Sequence, residues 1–368
     1  MSDMLSRRGV MGLLAGAGLA SAAGWRTSPA QPRPSSRIRG VQIGVITSCF
    51  RAAPADSIIP TLRKVGLTEV ELLSNHAEAL AGAPIFPRPV AAPAGPPPVL
   101  NAAGLLPRCA AMPLVLPLRT SGPGIELPPP TPQQQAAERQ LWDWRRQTTP
   151  ATWAAVRRKF ADAGIELRML WYGLGYSGPP DISDEEIDYA FRMARGLGVR
   201  GVAGSTRLQF APRIAAAAEK YNLTFAGHTQ DNFHNPELLA SPEAYERFLA
   251  VSDRLRICLD VGYFTAAGFD AVSFLQKHRT RVADIHLKDR KRSRSLGGDV
   301  TSDQLDIWPF GQGDAPIREV LRLLQRRHWD VPAQIEYDYF CRTTSDVATE
   351  LARCYAYCRE ALQAGYMI

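Results

Sequence analysis

From Val41 onward, short β-rich runs alternate with longer stretches of helical period, the pattern that βα units impose when they build a parallel sheet. Eight such runs predict strands over 41–47, 69–74, 165–171, 201–205, 223–228, 256–261, 282–288 and 332–337. Helical patterns fill the intervals, at 184–195, 213–221, 242–252, 317–327 and 345–364. Two of these helices announce their starts. Ser183 precedes three acids, and Ser241-Pro242-Glu243 sets a capping hydroxyl before a first-turn proline and a carboxylate. Eight strands are the number that closes a (β/α)8 TIM barrel, so the expected fold class is α/β with a single barrel domain over 39–368.

One interval breaks the rhythm. Between Ala81 and Gln133 stand 15 of the chain's 29 prolines, too many for a helix or interior strand to persist. The segment is therefore expected to be an insertion after the second strand, emerging at the barrel mouth, where it would cover the site, pack on a partner or stay unstructured. From Gln134 to Ala163 a helix should return the chain to the third strand.

The N-terminus reads as a targeting segment. Ser6-Arg7-Arg8 leads into an uncharged stretch to Ala23, and small residues precede a cut after Ala22, as in a twin-arginine export signal. Residues 1–22 are thus expected to be removed, 23–38 to form a linker, and the protein to be exported, to the periplasm. No stable membrane insertion is expected of the remainder, which lacks any run of about 18 apolar residues.

Composition narrows the partners. The formal charge is +7, or +6 once Asp3, Arg7 and Arg8 are set aside (+7 − 1). A mild excess of that kind suits a neutral or anionic small molecule. The one basic cluster, 288–294, reads better as a solvated loop than as a nucleic-acid surface, so no nucleic acid is expected. A homo-oligomer is compatible with the sequence. Six cysteines occur without a C-x-x-C pair, and Cys258, Cys354 and Cys358 fall where buried thiols belong.

Chemistry concentrates at the strand ends. In a closed barrel the C-terminal ends of the strands converge, and inward side chains recur at every second residue. The last four strands end in His228, Asp260, His286 and Glu336, each after an apolar run. Taken singly, each has an ordinary structural explanation, as a helix cap or a hydrogen-bonded core residue. Taken together, several ionisable groups held beside a core are costly without a cation. One divalent metal ion, Mn, Mg, Co or Zn, suits this mixed nitrogen and oxygen set. Glu71 and His228 are possible bases. Lys288, two residues beyond His286 on the same strand face, would hold a substrate oxyanion or else pair with Asp314. His76, Trp171, Gln230 and Arg290 are the possible substrate contacts, Trp171 offering a flat surface to a sugar ring.

The motifs Asp260-Val261-Gly262, His286-Leu287-Lys288-Asp289, Gly311-Gln312-Gly313-Asp314 and Ile335-Glu336-Tyr337 resemble the last strands of the xylose-isomerase-like sugar phosphate isomerase/epimerase family. Gly44-Val45-Ile46-Thr47 and Val70-Glu71-Leu72 resemble its first two. The resemblance implies a xylose-isomerase-like TIM barrel with one metal held by Glu, Asp, His and Glu from strands five to eight. Asp260, His286 and Glu336 match the last three ligands. Strand five departs, with Gly227 or His228 where the family places Glu, so His228 is either the replacement ligand or an acid/base. The resemblance further implies an isomerase or epimerase that removes a proton beside a carbonyl of a small carbohydrate or polyol-like substrate and passes through an enediolate. A lyase or hydratase that cleaves keto-sugars or 3-keto-glycosides by β-elimination shares that intermediate. A non-catalytic carbohydrate-binding barrel is the third reading. With six histidines in all, a multi-zinc endonuclease of related fold is disfavoured.

Overall fold

Eight parallel strands close on themselves. In chain order they are β1 (Val41–Ile46), β2 (Glu69–Leu73), β3 (Glu166–Trp171), β4 (Gly201–Gly204), β5 (Thr224–His228), β6 (Leu255–Asp260), β7 (Val282–Leu287) and β8 (Ala333–Ile335). Each pairs with the next, and β8 returns to β1 through Ile43↔Ala333, Gly44↔Gln334 and Val45↔Ile335. The computed structural model describes residues 35–50, 53–84, 131–175, 181–230, 235–292, 307–337 and 346–364. The proposed signal segment, most of the linker, the greater part of the Pro-rich insertion, Cys109 and Cys341 lie outside the described residues.

Helices cover the outer face: α1 (Ile58–Val65), α2 (Ser74–Leu80), α3 (Pro132–Gln147), α4 (Pro150–Asp162), α5 (Asp184–Leu197), α6 (Ala211–Tyr221), α7 (Pro242–Val251), α8 (Val261–Ala266), α9 (Ala271–Lys277), α10 (Ile317–Arg327) and α11 (Val347–Gln363). The alternation of each strand divides the core in two. Outward residues such as Leu255, Ile257 and Leu259 join the large cluster between sheet and helices, whereas Met169, Ala203, Ala226 and Cys258 form a small separate cluster. Their inward-pointing register assigns that second cluster to the barrel interior. α10 buries Ile317, Val320, Leu321 and Leu324, the i, i+3, i+4, i+7 stripe of a surface helix, each side chain contributing about 1.5–3 kcal/mol. No helix of the described residues is long and apolar enough to cross a membrane.

Two expectations need correction. The single helix predicted over 134–163 is two, because Thr149 caps a fresh start and Pro150, lacking an N–H, takes the first-turn position of α4. The predicted linker also ends too late: Ser36 is buried and donates to the Ile43 carbonyl, and Arg37–Ile38 pairs antiparallel with Val41 and Gln42. The two serine N-caps behave as expected, Ser183 accepting from Glu186 N–H and Ser241 from Ala244 N–H.

Candidate metal and substrate site

Asp284, His286 and Lys288 occupy alternate positions at the end of β7 and are all buried, so one strand supplies three polar layers stepping toward the mouth. His286 is the hub. Its Nδ1 lies 2.8 Å from Glu336 Oε2 and its Nε2 lies 2.6 Å from Glu71 Oε2. Burial disfavours the charged ring, but the acidic groups of Cys258, Glu71 and Glu336 hold its pKa well above the ordinary histidine value. Asp284, one layer below, is pushed up by burial and by the neighbouring Glu71 carboxyl, which favours its neutral form.

Asp260 serves two masters. Its Oδ1 accepts from Tyr263 N–H and starts α8, while its Oδ2 stands 2.9 Å from Lys288 Nζ and 3.6 Å from His228 Nε2. Burial alone would raise this carboxyl, yet the Lys288 ammonium and the His228 ring hold it well below the usual carboxylate range. Lys288 Nζ also lies 3.1 Å from Glu336 Oε1. Gly262 makes that approach possible, since a Cβ there would meet the Lys288 carbonyl oxygen at 2.6 Å. Behind the site, Tyr245 OH and Thr229 Oγ1 are 2.9 Å apart, and Thr229 Oγ1 accepts from Asp260 N–H, bracing the ends of β5 and β6.

His228 meets its neighbours at longer range than His286 does. Burial lowers the His228 pKa, and its Nε2, with no hydrogen-bond partner among the described residues, faces Asp260 Oδ2 at 3.6 Å and Glu336 Oε2 at 3.9 Å. Those separations are too long for hydrogen bonds. They are close to the ligand-to-ligand spacing of ~3.4 Å that follows from a tetrahedral shell with ~2.1 Å bonds. One donor atom from each of His228, Asp260, His286 and Glu336 lies within 4.8 Å of the other three. Two imidazoles and two carboxylates are a donor set that fits a borderline divalent cation. The residues present therefore fit the metal that the sequence implies, and Glu71 would orient His286 from behind, as carboxylates commonly do for metal-ligating histidines.

The remaining predicted residues divide. Trp171 walls the cluster, its ring centroid 4.8 Å from that of His228 and 5.6 Å from that of His286. Arg290 is buried with its guanidinium 4.9 Å from the Tyr263 ring centroid, and Lys288 Nζ lies 4.1 Å from the same centroid. Gln230 turns its amide back to the His228 carbonyl, and His76 Nδ1 lies 2.9 Å from Thr47 Oγ1, so neither is drawn into the cluster. The expected alternative partner of Lys288, Asp314, pairs instead with Lys291 and with Arg292 N–H. Glu71, considered as a base, is fully buried and committed to His286.

Sequence reasoning passed over Tyr263 and gave Asp284 no role, although the Asp-x-His-x-Lys alternation was there to assign it. Two of the motifs are joined by hydrogen bonds: Asp289 of His-x-Lys-Asp accepts from Gly311, Gly313 and Ala315 N–H, tying the Gly-Gln-Gly-Asp loop to the chain just past the C-terminal end of β7. Gly313 has no alternative there, because a Cβ would lie 2.0 Å from Asp289 Oδ1.

No protein-family model matches this chain, and no curated protein matches it in sequence. Solved structures do match. The IolI protein crystallised with a zinc atom superimposes with a TM-score of 0.54 at 13% identity, over 89% of this chain and 99% of its own. The probable 3-DHS dehydratase AsbF of Bacillus anthracis gives 0.54 at 14% identity, over 85% and 97%. An L-ribulose 3-epimerase gives 0.53 at 13% identity, over 88% and 95%. At such identities the likeness establishes the fold alone: this is a (β/α)8 TIM barrel.

Proposed function

We propose that this protein is a metal-dependent carbohydrate isomerase or epimerase that removes a proton beside the carbonyl of a small sugar or polyol-like substrate. One observation carries the reading, the convergence of His228, Asp260, His286 and Glu336 on one point at the mouth of the barrel. The structural neighbours are consistent with it, since they include an L-ribulose 3-epimerase and a protein holding zinc. Asp260, His286 and Glu336 would hold the cation, with His228 completing the set. When bound, the ion would polarise the substrate carbonyl and neutralise the charge that develops as the adjacent proton leaves.

The protein's own groups divide the rest of the work. Trp171 offers its indole face to the ring or chain of the sugar. Glu71 keeps the imidazole of His286 turned so that Nδ1 points at Glu336. His228, whose Nε2 has no hydrogen bond among the described residues, either takes the fourth ligand place or exchanges a proton with substrate seated there.

A second reading rests on that same residue. An imidazole on β5, where a carboxylate is expected, could take the proton beside the carbonyl and hand it to a departing β-substituent, and AsbF shows that this fold is found among probable dehydratases. Incubation of metal-loaded protein with free aldoses and ketoses, and separately with 3-keto-glucosides, distinguishes the two. Interconversion of free sugars supports the isomerase, and release of the aglycone from the glycosides alone refutes it. In His228→Ala, retained metal with lost turnover makes His228 the acid/base, whereas loss of the metal makes it a ligand.

A further inference from the structure

We infer that Lys288 is an internal competitor of the divalent cation, neutralising the same two carboxylates when the metal is away and having to release them for the metal to bind; this rests on the metal-dependent reading above. The Lys288 ammonium is 1% exposed and lies 2.9 Å from Asp260 Oδ2 and 3.1 Å from Glu336 Oε1, which are two of the four prospective ligands. A buried ammonium is tolerated only with close counter-charges, and two buried carboxylates are tolerated only with a cation. Lys288 and this pair satisfy each other.

A divalent ion placed among the same oxygens would stand within a few ångströms of the ammonium, and like charges at that range in a poorly solvated site repel strongly. Metal and ammonium therefore compete for Asp260 and Glu336. The backbone at Lys288 stays where it is, because its carbonyl packs on Gly262 and the next residue, Asp289, is fastened to three N–H groups. Movement falls to the flexible four-carbon stem. It has a second seat within reach, the face of Tyr263, whose ring centroid is already 4.1 Å from Nζ. Two consequences follow. The metal-free site is held together by Lys288, and the affinity for metal is lower than the four ligands alone would give.

The test replaces the charge and keeps the length. Wild type, Lys288→Met and Lys288→Arg are stripped with chelator and titrated with Zn²⁺ or Mn²⁺ by calorimetry, and thermal unfolding is followed with and without metal. Lys288→Met should bind metal at least about tenfold more tightly than wild type, melt lower when metal-free, and gain more on loading. Lys288→Arg keeps the cation and should bind metal no more tightly than wild type. If Lys288→Met does not fold when stripped, Lys288→Gln takes its place, and refolding of the Met variant on metal addition supports the inference. Equal or weaker metal binding by a folded Lys288→Met or Lys288→Gln, while wild type binds metal, overturns the competition and leaves the metal-dependent reading standing. Failure of every form to bind metal overturns both.

Discussion

Replacing Glu71 separates a positioning carboxylate from a catalytic base. Glu71 is fully buried, and its Oε2 lies 2.6 Å from His286 Nε2. On the other side of that ring, Nδ1 faces Glu336. If Glu71 fixes the ring so that Nδ1 can serve the metal, Glu71→Ala should weaken metal binding about 10–100-fold, the usual effect of losing such a partner, or ~1.4–2.7 kcal/mol. Glu71→Gln keeps a carbonyl oxygen that can accept from His286 Nε2–H. Its new amide N–H₂ would fall where Glu71 Oε1 has no partner among the described residues, beside Asp284, whose Oδ2 likewise has none there. The glutamine variant should therefore hold metal within about threefold of wild type, since both lost and gained hydrogen bonds are near ~1 kcal/mol. Calorimetric titration of stripped protein gives the affinities, and steady-state kinetics at saturating metal gives kcat and KM. A base would behave differently: Glu71→Gln would bind metal normally and lose turnover by several orders of magnitude. That result, or equal metal affinities for wild type and a folded Glu71→Ala, refutes the positioning role.

Two further predictions concern the scaffold. Burial raises the Glu69 carboxyl at the foot of β2 from 4.5 to about 7, against the pull of Arg168 3.7 Å away. A raised folded-state pKa means that stability is complete below about pH 4.5 and is lost as the pH climbs through about 7, a gap of roughly 3 kcal/mol. Glu69→Gln, neutral at every pH, should match wild type near pH 4 and exceed it by about that amount near pH 8; urea midpoints that stay parallel across this range would contradict it. Gly313→Ala should lower the melting temperature and expose the amides of Gly311 and Ala315 to exchange, because a Cβ would be driven into the Asp289 carboxylate. Unchanged exchange at those two amides would show that the loop absorbs the clash elsewhere.

Much of the barrel is determined along the chain itself. Strand positions follow from short β-rich runs set between helical patterns, legible without reference to any partner, and all eight predicted strands form within two or three residues of their predicted limits. The caps at Ser183 and Ser241 act over three residues, so they too are legible locally. Convergence of His228, Asp260, His286 and Glu336 follows from the same rule, because closing a parallel barrel brings every strand end to one rim. Which oxygen meets which nitrogen does not. Lys288 chooses Asp260 and Glu336 over Asp314, Glu71 turns to His286, and Gln230 turns away from the cluster. Each of these choices is a competition among long side chains with several rotamers, decided by burial and by charges contributed from strands as far as 215 residues apart in the sequence. Periodicity fixes where a residue sits and which way it faces; only the packed interior fixes the partner, since an unpaired charge there is costly and whichever counter-charge lies within reach is the one that is taken.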